Sequence, residues 1–166
     1  MSAPSFCTMN GGRLIFTQDA WDLLLRHRQV SPNLPEAGGV LFGRHLLNSQ
    51  DVAVDGATTP QPQDRQSRFF FFRSRRHSEI VLREWEASRH TQDCLGLWHT
   101  HPEHSPTPSY VDVQDWKRAV KKGTYDGHSL FFVIVGVTNV GVWELPRKGK
   151  LLLLQGGETN GFQYNQ

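Results

Sequence analysis

The sequence predicts a single α/β domain built on a mixed or largely antiparallel sheet, and three observations carry that prediction. Short apolar runs of strand type alternate with segments of helical periodicity along most of the chain. One continuous apolar run, Leu130 to Val137, has the character of a central strand covered on both faces. The length, 166 residues without a break in composition, is that of one domain.

The elements follow in order. Leu14-Ile15-Phe16 reads as a strand after Gly11-Gly12. Thr17 then caps a helix to about Arg28, with Ala20, Leu23, Leu24 and His27 on one face, and Pro32 and Pro35 lie beyond its end. Gly38 to His45 and Val52 to Val54 form a hairpin across Asn48-Ser49-Gln50-Asp51. Thr58 to Ser67, with Pro60 and Pro62, reads as a loop. Ser78 caps a second helix to Ser88 that carries Trp85. Cys94 to His101 is a strand stopped by Pro102, and Ser109 caps a third helix bearing Trp116, Ala119 and Val120. Leu130 to Val137, Val140 to Leu145 and Leu151 to Leu154 complete the strands. The domain is expected over residues 1–155, with a polar tail at 156–166. Trp85, Trp98 and Trp116 are expected in the core, each on an apolar face.

Composition excludes several classes. Two cysteines, Cys7 and Cys94, form no CxxC and no disulfide framework, which suits a reducing compartment. No signal peptide and no run long enough to span a membrane is present, so a soluble, cytoplasmic protein is expected. A net charge of +2 gives little reason to expect nucleic acid. Arginines 65, 68, 73, 75 and 76 nevertheless cluster around Phe69 to Phe72, with no acid between them. A buried strand with its ends solvated by arginine is the favoured reading, ahead of a docking site for an acidic partner.

The chemistry concentrates in His99-Thr100-His101, then Ser109, then Asp112. Residues two apart on a strand share a face, so the two imidazoles can converge, and Asp112 on the first turn of the third helix can join them. Two histidines and a carboxylate leave tetrahedral zinc one open position, the pattern of a catalytic site. Hydrolysis of an amide also needs a group that takes a proton and delivers it to the leaving amine. Glu36, just before the Gly38 strand, is the candidate, and Ser109 can donate to the oxygen that becomes negative while also capping its helix. Glu103 and His104 lack a fixed direction beyond Pro102, and His27, His45, His77, His90 and His128 show no partner spacing.

These residues carry a resemblance. Glu36-Ala-Gly-Gly-Val-Leu-Phe-Gly43, then Gly96-Leu-Trp-His-Thr-His-Pro102 and Pro108-Ser-Tyr-Val-Asp112, resemble the JAMM (MPN-plus, JAB domain) metalloprotease signature. The likeness spans roughly Leu14 to Leu154 and is strongest to compact bacterial members encoded beside ubiquitin-like conjugation genes, including antiphage operons. It implies a curved sheet flanked by helices, with layering like that of cytidine deaminases. It implies Zn2+ on His99, His101 and Asp112, Glu36 as general base and acid, and Ser109 as the oxyanion donor. The implied reaction is hydrolysis after the C-terminal glycine of a ubiquitin-like protein or its conjugate. A catalytically silent MPN-type scaffold is disfavoured because no ligand residue is missing. A small-molecule amidohydrolase is left open by the site alone, and an oligonucleotide binder using the arginine cluster is the third class.

Overall fold

A computed structural model describes residues 2–156, so most of the expected C-terminal tail lies outside the described residues. Ten strands and three helices run in the order β1 (Ser5–Cys7), β2 (Arg13–Phe16), α1 (Gln18–Leu25), β3 (Gly38–His45), β4 (Val52–Ala57), β5 (Arg65–Ser67), β6 (Phe70–Phe72), α2 (Arg76–Ala87), β7 (Asp93–Thr100), α3 (Tyr110–Lys122), β8 (Ser129–Val135), β9 (Val140–Pro146) and β10 (Leu152–Leu153). Eight strands form one mixed sheet in the order β1-β2-β4-β3-β7-β8-β9-β10, while β5 and β6 stand apart as a hairpin. The pairs β2–β4 and β7–β8 are parallel and the others antiparallel. The sheet curls until its ends meet: the Cys7 amide donates to the Gln155 carbonyl, 3.0 Å away, and Phe6 bridges Gly156. The expected α/β class and the curved mixed sheet with flanking helices both hold.

Two cores cover the two faces. α1 packs Trp21 and Leu24 against Phe16, Val54, Trp98 and Val133 on one face. α3 packs Trp116 and Val120 against Phe132, Ile134 and Trp143 on the other. β7 feeds both through a bulge. Leu41 lies opposite Gly96, but the next residue, Phe42, lies opposite Cys94, so β7 carries one extra residue. Gly96 takes φ +153°, and a Cβ there would stand 1.6 Å from the Phe131 carbonyl oxygen. One extra residue inverts the alternation beyond it. Cys94 and Leu97 therefore join the α3 core, Leu95 and Trp98 the α1 core. His99 and His101 consequently emerge on the α3 face, and Thr100 on the α1 face.

Several sequence expectations change. The run Phe69 to Phe72 is not a buried strand: Phe69 is 74% exposed, Phe72 51% and Phe70 38%. It belongs to the β5–β6 hairpin, so the expected Thr58–Ser67 loop already contains a strand. Only Phe71 turns inward, its ring filling the space a side chain on Gly38 would take, 2.6 Å from the position of a Cβ. α1 ends at Leu25, and it is Trp21 that is buried with Ala20 and Leu24, while Leu23 and His27 are half-buried. α2 starts at Arg76 with Arg75 as its N-cap and buries His77, not a Ser78-capped apolar face. Trp85 is half-buried and stacks on His90 at 3.6 Å, whereas Trp98 and Trp116 are core as expected. β1 was not foreseen.

The hairpin is tied to the main sheet at its base. Asp64, just before β5, accepts from the Gln61 amide and from the Ser74 amide just after β6. Its Oδ2 also lies 2.7 Å from His77 Nε2. The other nitrogen of His77 lies 2.6 Å from the Thr58 hydroxyl oxygen, which accepts from the Val40 amide on β3. Arg73 adds a second tie, donating to the Gly39 and Trp98 carbonyls and pairing with Asp115 on α3.

Candidate metal centre

His99 and His101 sit at the end of β7, 5% and 7% exposed. Their Nε2 atoms are 3.0 Å apart. Asp112 closes the triangle, with Oδ1 3.3 Å from His99 Nε2 and Oδ2 3.2 Å from His101 Nε2. Its position follows from the start of α3. The Ser109 hydroxyl accepts from the Asp112 amide at 3.1 Å, and Asp112 Oδ2 accepts from the Ser109 amide at 2.8 Å, a reciprocal cap. The same carboxylate thus closes the helix end and faces both imidazoles.

The triangle suits a zinc ion. Ligands bonded at 2.0–2.1 Å in tetrahedral geometry stand about 3.3 Å apart, and two imidazole nitrogens with one carboxylate are a common catalytic zinc donor set. The observed separations of 3.0 to 3.3 Å match. Among the described residues no other group of histidine, cysteine or acid converges in this way. Expected rivals stay outside: His104 Nδ1 bonds Thr138 at 2.7 Å, and Glu103 reaches only to 3.8 Å from His101 Nδ1.

The two imidazoles and the carboxylate shift one another's titration. Burial pushes His99 below the ordinary imidazole value against the pull of Asp112. Burial also works against protonation of His101, but Asp112, Glu36 and Glu103 together hold it above that value. Burial would raise Asp112, yet its bonds to both histidines hold it far below the usual carboxylate range.

Glu36 lines the same cleft, 5% exposed. Burial pushes its carboxyl up to about 7, opposed by His101 and reinforced by Asp112 and Glu103. Two devices place it. Gly38 pairs with His99 in register, which brings the segment before β3 to the end of β7 that carries the two histidines. The Ala37 amide donates to the Thr100 hydroxyl at 3.0 Å, the Thr100 amide to the Ala37 carbonyl at 2.9 Å, and the Glu36 amide to Ser67 of the hairpin at 2.7 Å. Thr100 in turn donates to buried Gln29. Sequence reasoning missed Thr100, Gln29 and Arg73; the Thr between the two histidines was the one available signal, since its face had to be opposite theirs. The cleft, of about 610 Å3, is walled on one side by the hairpin and on the other by Ser109, Asp115 and Trp116. Ser109 is exposed, and its capping role leaves its O–H free to donate.

A curled mixed sheet bearing this cluster defines a JAB-like α/β domain. A family model described as prokaryotic homologs of the JAB domain matches residues 17–146, and the chain belongs to that family. A protein of Pseudomonas aeruginosa named CD-NTase/cGAS isopeptidase is 34% identical over 138 residues, 82% of this chain and 85% of that one. One of the same name from Vibrio cholerae is 34% identical over 117 residues, covering 68% and 69%. The solution structure of a Desulfitobacterium hafniense protein has the same fold, with TM-score 0.58 and 23% identity over 83% of this chain and 87% of that one. No helix among the described residues is long and apolar enough to cross a membrane.

Proposed function

We propose that this chain is a zinc-dependent isopeptidase of a bacterial antiphage conjugation pathway, with His99, His101 and Asp112 as the metal ligands. It cleaves after the C-terminal glycine of a ubiquitin-like protein, or of a protein conjugated in the same manner. The name carried by its relatives, CD-NTase/cGAS isopeptidase, supports a CD-NTase as a member of that conjugate. The observation that carries the reading is the triangle of two imidazoles and a carboxylate, sharing a cleft with a buried carboxyl of near-neutral pKa.

A bound zinc supplies Lewis acidity that makes water nucleophilic near neutral pH. Glu36 takes the proton of the attacking water and delivers it to the leaving lysine amine. The Ser109 hydroxyl donates to the carbonyl oxygen as it gains charge. Thr100 keeps Glu36 against the end of β7, and the reciprocal cap keeps Asp112 aimed. β6 lines the cleft and, among the described residues, pairs only with β5. Its outer edge can therefore take an extended glycine tail by backbone pairing, which excludes bulky side chains near the bond.

The test is cleavage of a CD-NTase joined through its C-terminus to a lysine side chain of a fluorescent peptide. Activity that disappears with a chelator, returns with zinc and is absent in Glu36→Gln supports the reading. Cleavage indifferent to the chelator overturns it.

A further inference from the structure

Beyond the backbone edge of β6, the β5–β6 hairpin carries exposed side chains that have no part in the bond-breaking step. Three phenylalanine rings stand partly in water there, and two of them carry a cation. The Arg65 guanidinium lies 6.0 Å over the ring of Phe72, and that of Arg68 lies 5.6 Å over Phe69. Arg73 pairs with Asp115 and Arg76 with Glu79, whereas Arg65, Arg68 and Arg75 have no carboxylate partner among the described residues, and Arg68 donates from Nη1 to the Ser31 carbonyl at 3.3 Å. The Asp64–His77–Thr58 chain holds the hairpin base in place, so ordering the patch adds little cost when something binds. The patch is continuous with the site, because Arg68 and Phe69 to Phe72 form one wall of the cleft.

Resting on the isopeptidase reading, we infer that this aromatic and arginine face docks the protein substrate through acidic side chains flanked by apolar ones, just upstream of the bond to be cut. Planar guanidinium groups match carboxylates in a fork, and the adjoining rings take apolar contact, which together select both charge and shape. Arginine and aromatic side chains also bind single-stranded nucleic acid. The opposite wall of the cleft argues against that occupant. It carries the exposed Glu103, which repels phosphates, and a net charge of +2 gives no long-range attraction. A protein segment meets no such conflict, since its acids need reach only the hairpin side.

The experiment is fluorescence anisotropy on the full-length Glu36→Gln chain loaded with zinc. The probes are three labelled dodecapeptides ending in Gly-Gly, alike except that upstream positions beside phenylalanine carry Glu, Gln or Lys. The acidic peptide is expected to bind about tenfold more tightly than its Gln counterpart, and the Lys peptide most weakly. Arg65→Glu with Arg68→Glu should invert that order, and Phe69→Ser should weaken all three about tenfold. Equal binding of the three peptides overturns the docking surface without any variant being needed. An oligo-dT 20-mer that binds more tightly than the acidic peptide overturns it in favour of nucleic acid. Because the readout is binding, peptide selectivity stands even where no conjugate is cut, and conjugate cleavage with no peptide selectivity removes this inference alone.

Discussion

The Thr100 hydroxyl accepts a hydrogen bond from the Ala37 amide at 3.0 Å, so the residue between the two histidines holds the residue next to Glu36. It also donates to Gln29 Oε1 at 2.8 Å. Replacement by valine keeps the shape and removes both bonds, leaving a buried amide and a buried carbonyl oxygen unpartnered. Thr100→Val should cost about 1–3 kcal/mol of stability in urea unfolding and lower kcat through Glu36, while Thr100→Ser should restore both. Wild-type kcat in the valine variant would contradict the positioning role.

Glu36 gives a pH dependence whose sign is determined. Its folded pKa of about 7 lies above the ordinary 4.5, so the metal-free fold favours the neutral acid. The contribution is fully present below pH 4.5 and is lost as pH rises through 7, a change of up to about 3 kcal/mol at 1.4 kcal/mol per unit. Metal-free wild type should therefore lose stability relative to Glu36→Gln between pH 5 and pH 8. Parallel stability curves for the two proteins would show that Glu36 is not held in this way.

Ser109 has two separable duties. Glycine at an N-cap costs only a few tenths of a kcal/mol, so Ser109→Gly should leave thermal unfolding nearly unchanged. The Ser109 amide that holds Asp112 Oδ2 remains in this variant, so zinc affinity should be kept, while the lost donor should lower kcat about 100-fold with KM little altered. An unchanged kcat would leave Ser109 a cap alone.

The phase of β7 depends on Gly96. A side chain there would collide with the Phe131 backbone in a conformation that L residues rarely adopt. Gly96→Ala should either unfold the sheet or remove the bulge, turning His99 and His101 away from Asp112. Zinc binding should be lost in either case, and retention of wild-type zinc affinity would contradict the bulge's role.

What the sequence made legible has physical reasons. Leu130 to Val135 could be read because a strand covered on both faces is apolar throughout. Asp112 could be placed because Ser109 marks the start of a helix, and capping fixes direction within one turn. The Phe run misled because its period-two exposure, Phe71 in and Phe70 and Phe72 out, is invisible when every residue is phenylalanine. β1 is three residues with one buried side chain, too short for any pattern. The Gly96 bulge and the Thr58–Asp64–His77 chain depend on partners far apart in sequence, and no local spacing announces them.

Metal content and ligation bear most directly on the centre. The full-length chain, purified with zinc and washed free of excess, is expected to hold one zinc per molecule by elemental analysis. Anomalous scattering from a crystal at the zinc edge should place it between His99 Nε2, His101 Nε2 and the Asp112 carboxylate. A protein that retains no zinc, or binds it away from these three side chains, would contradict the assignment.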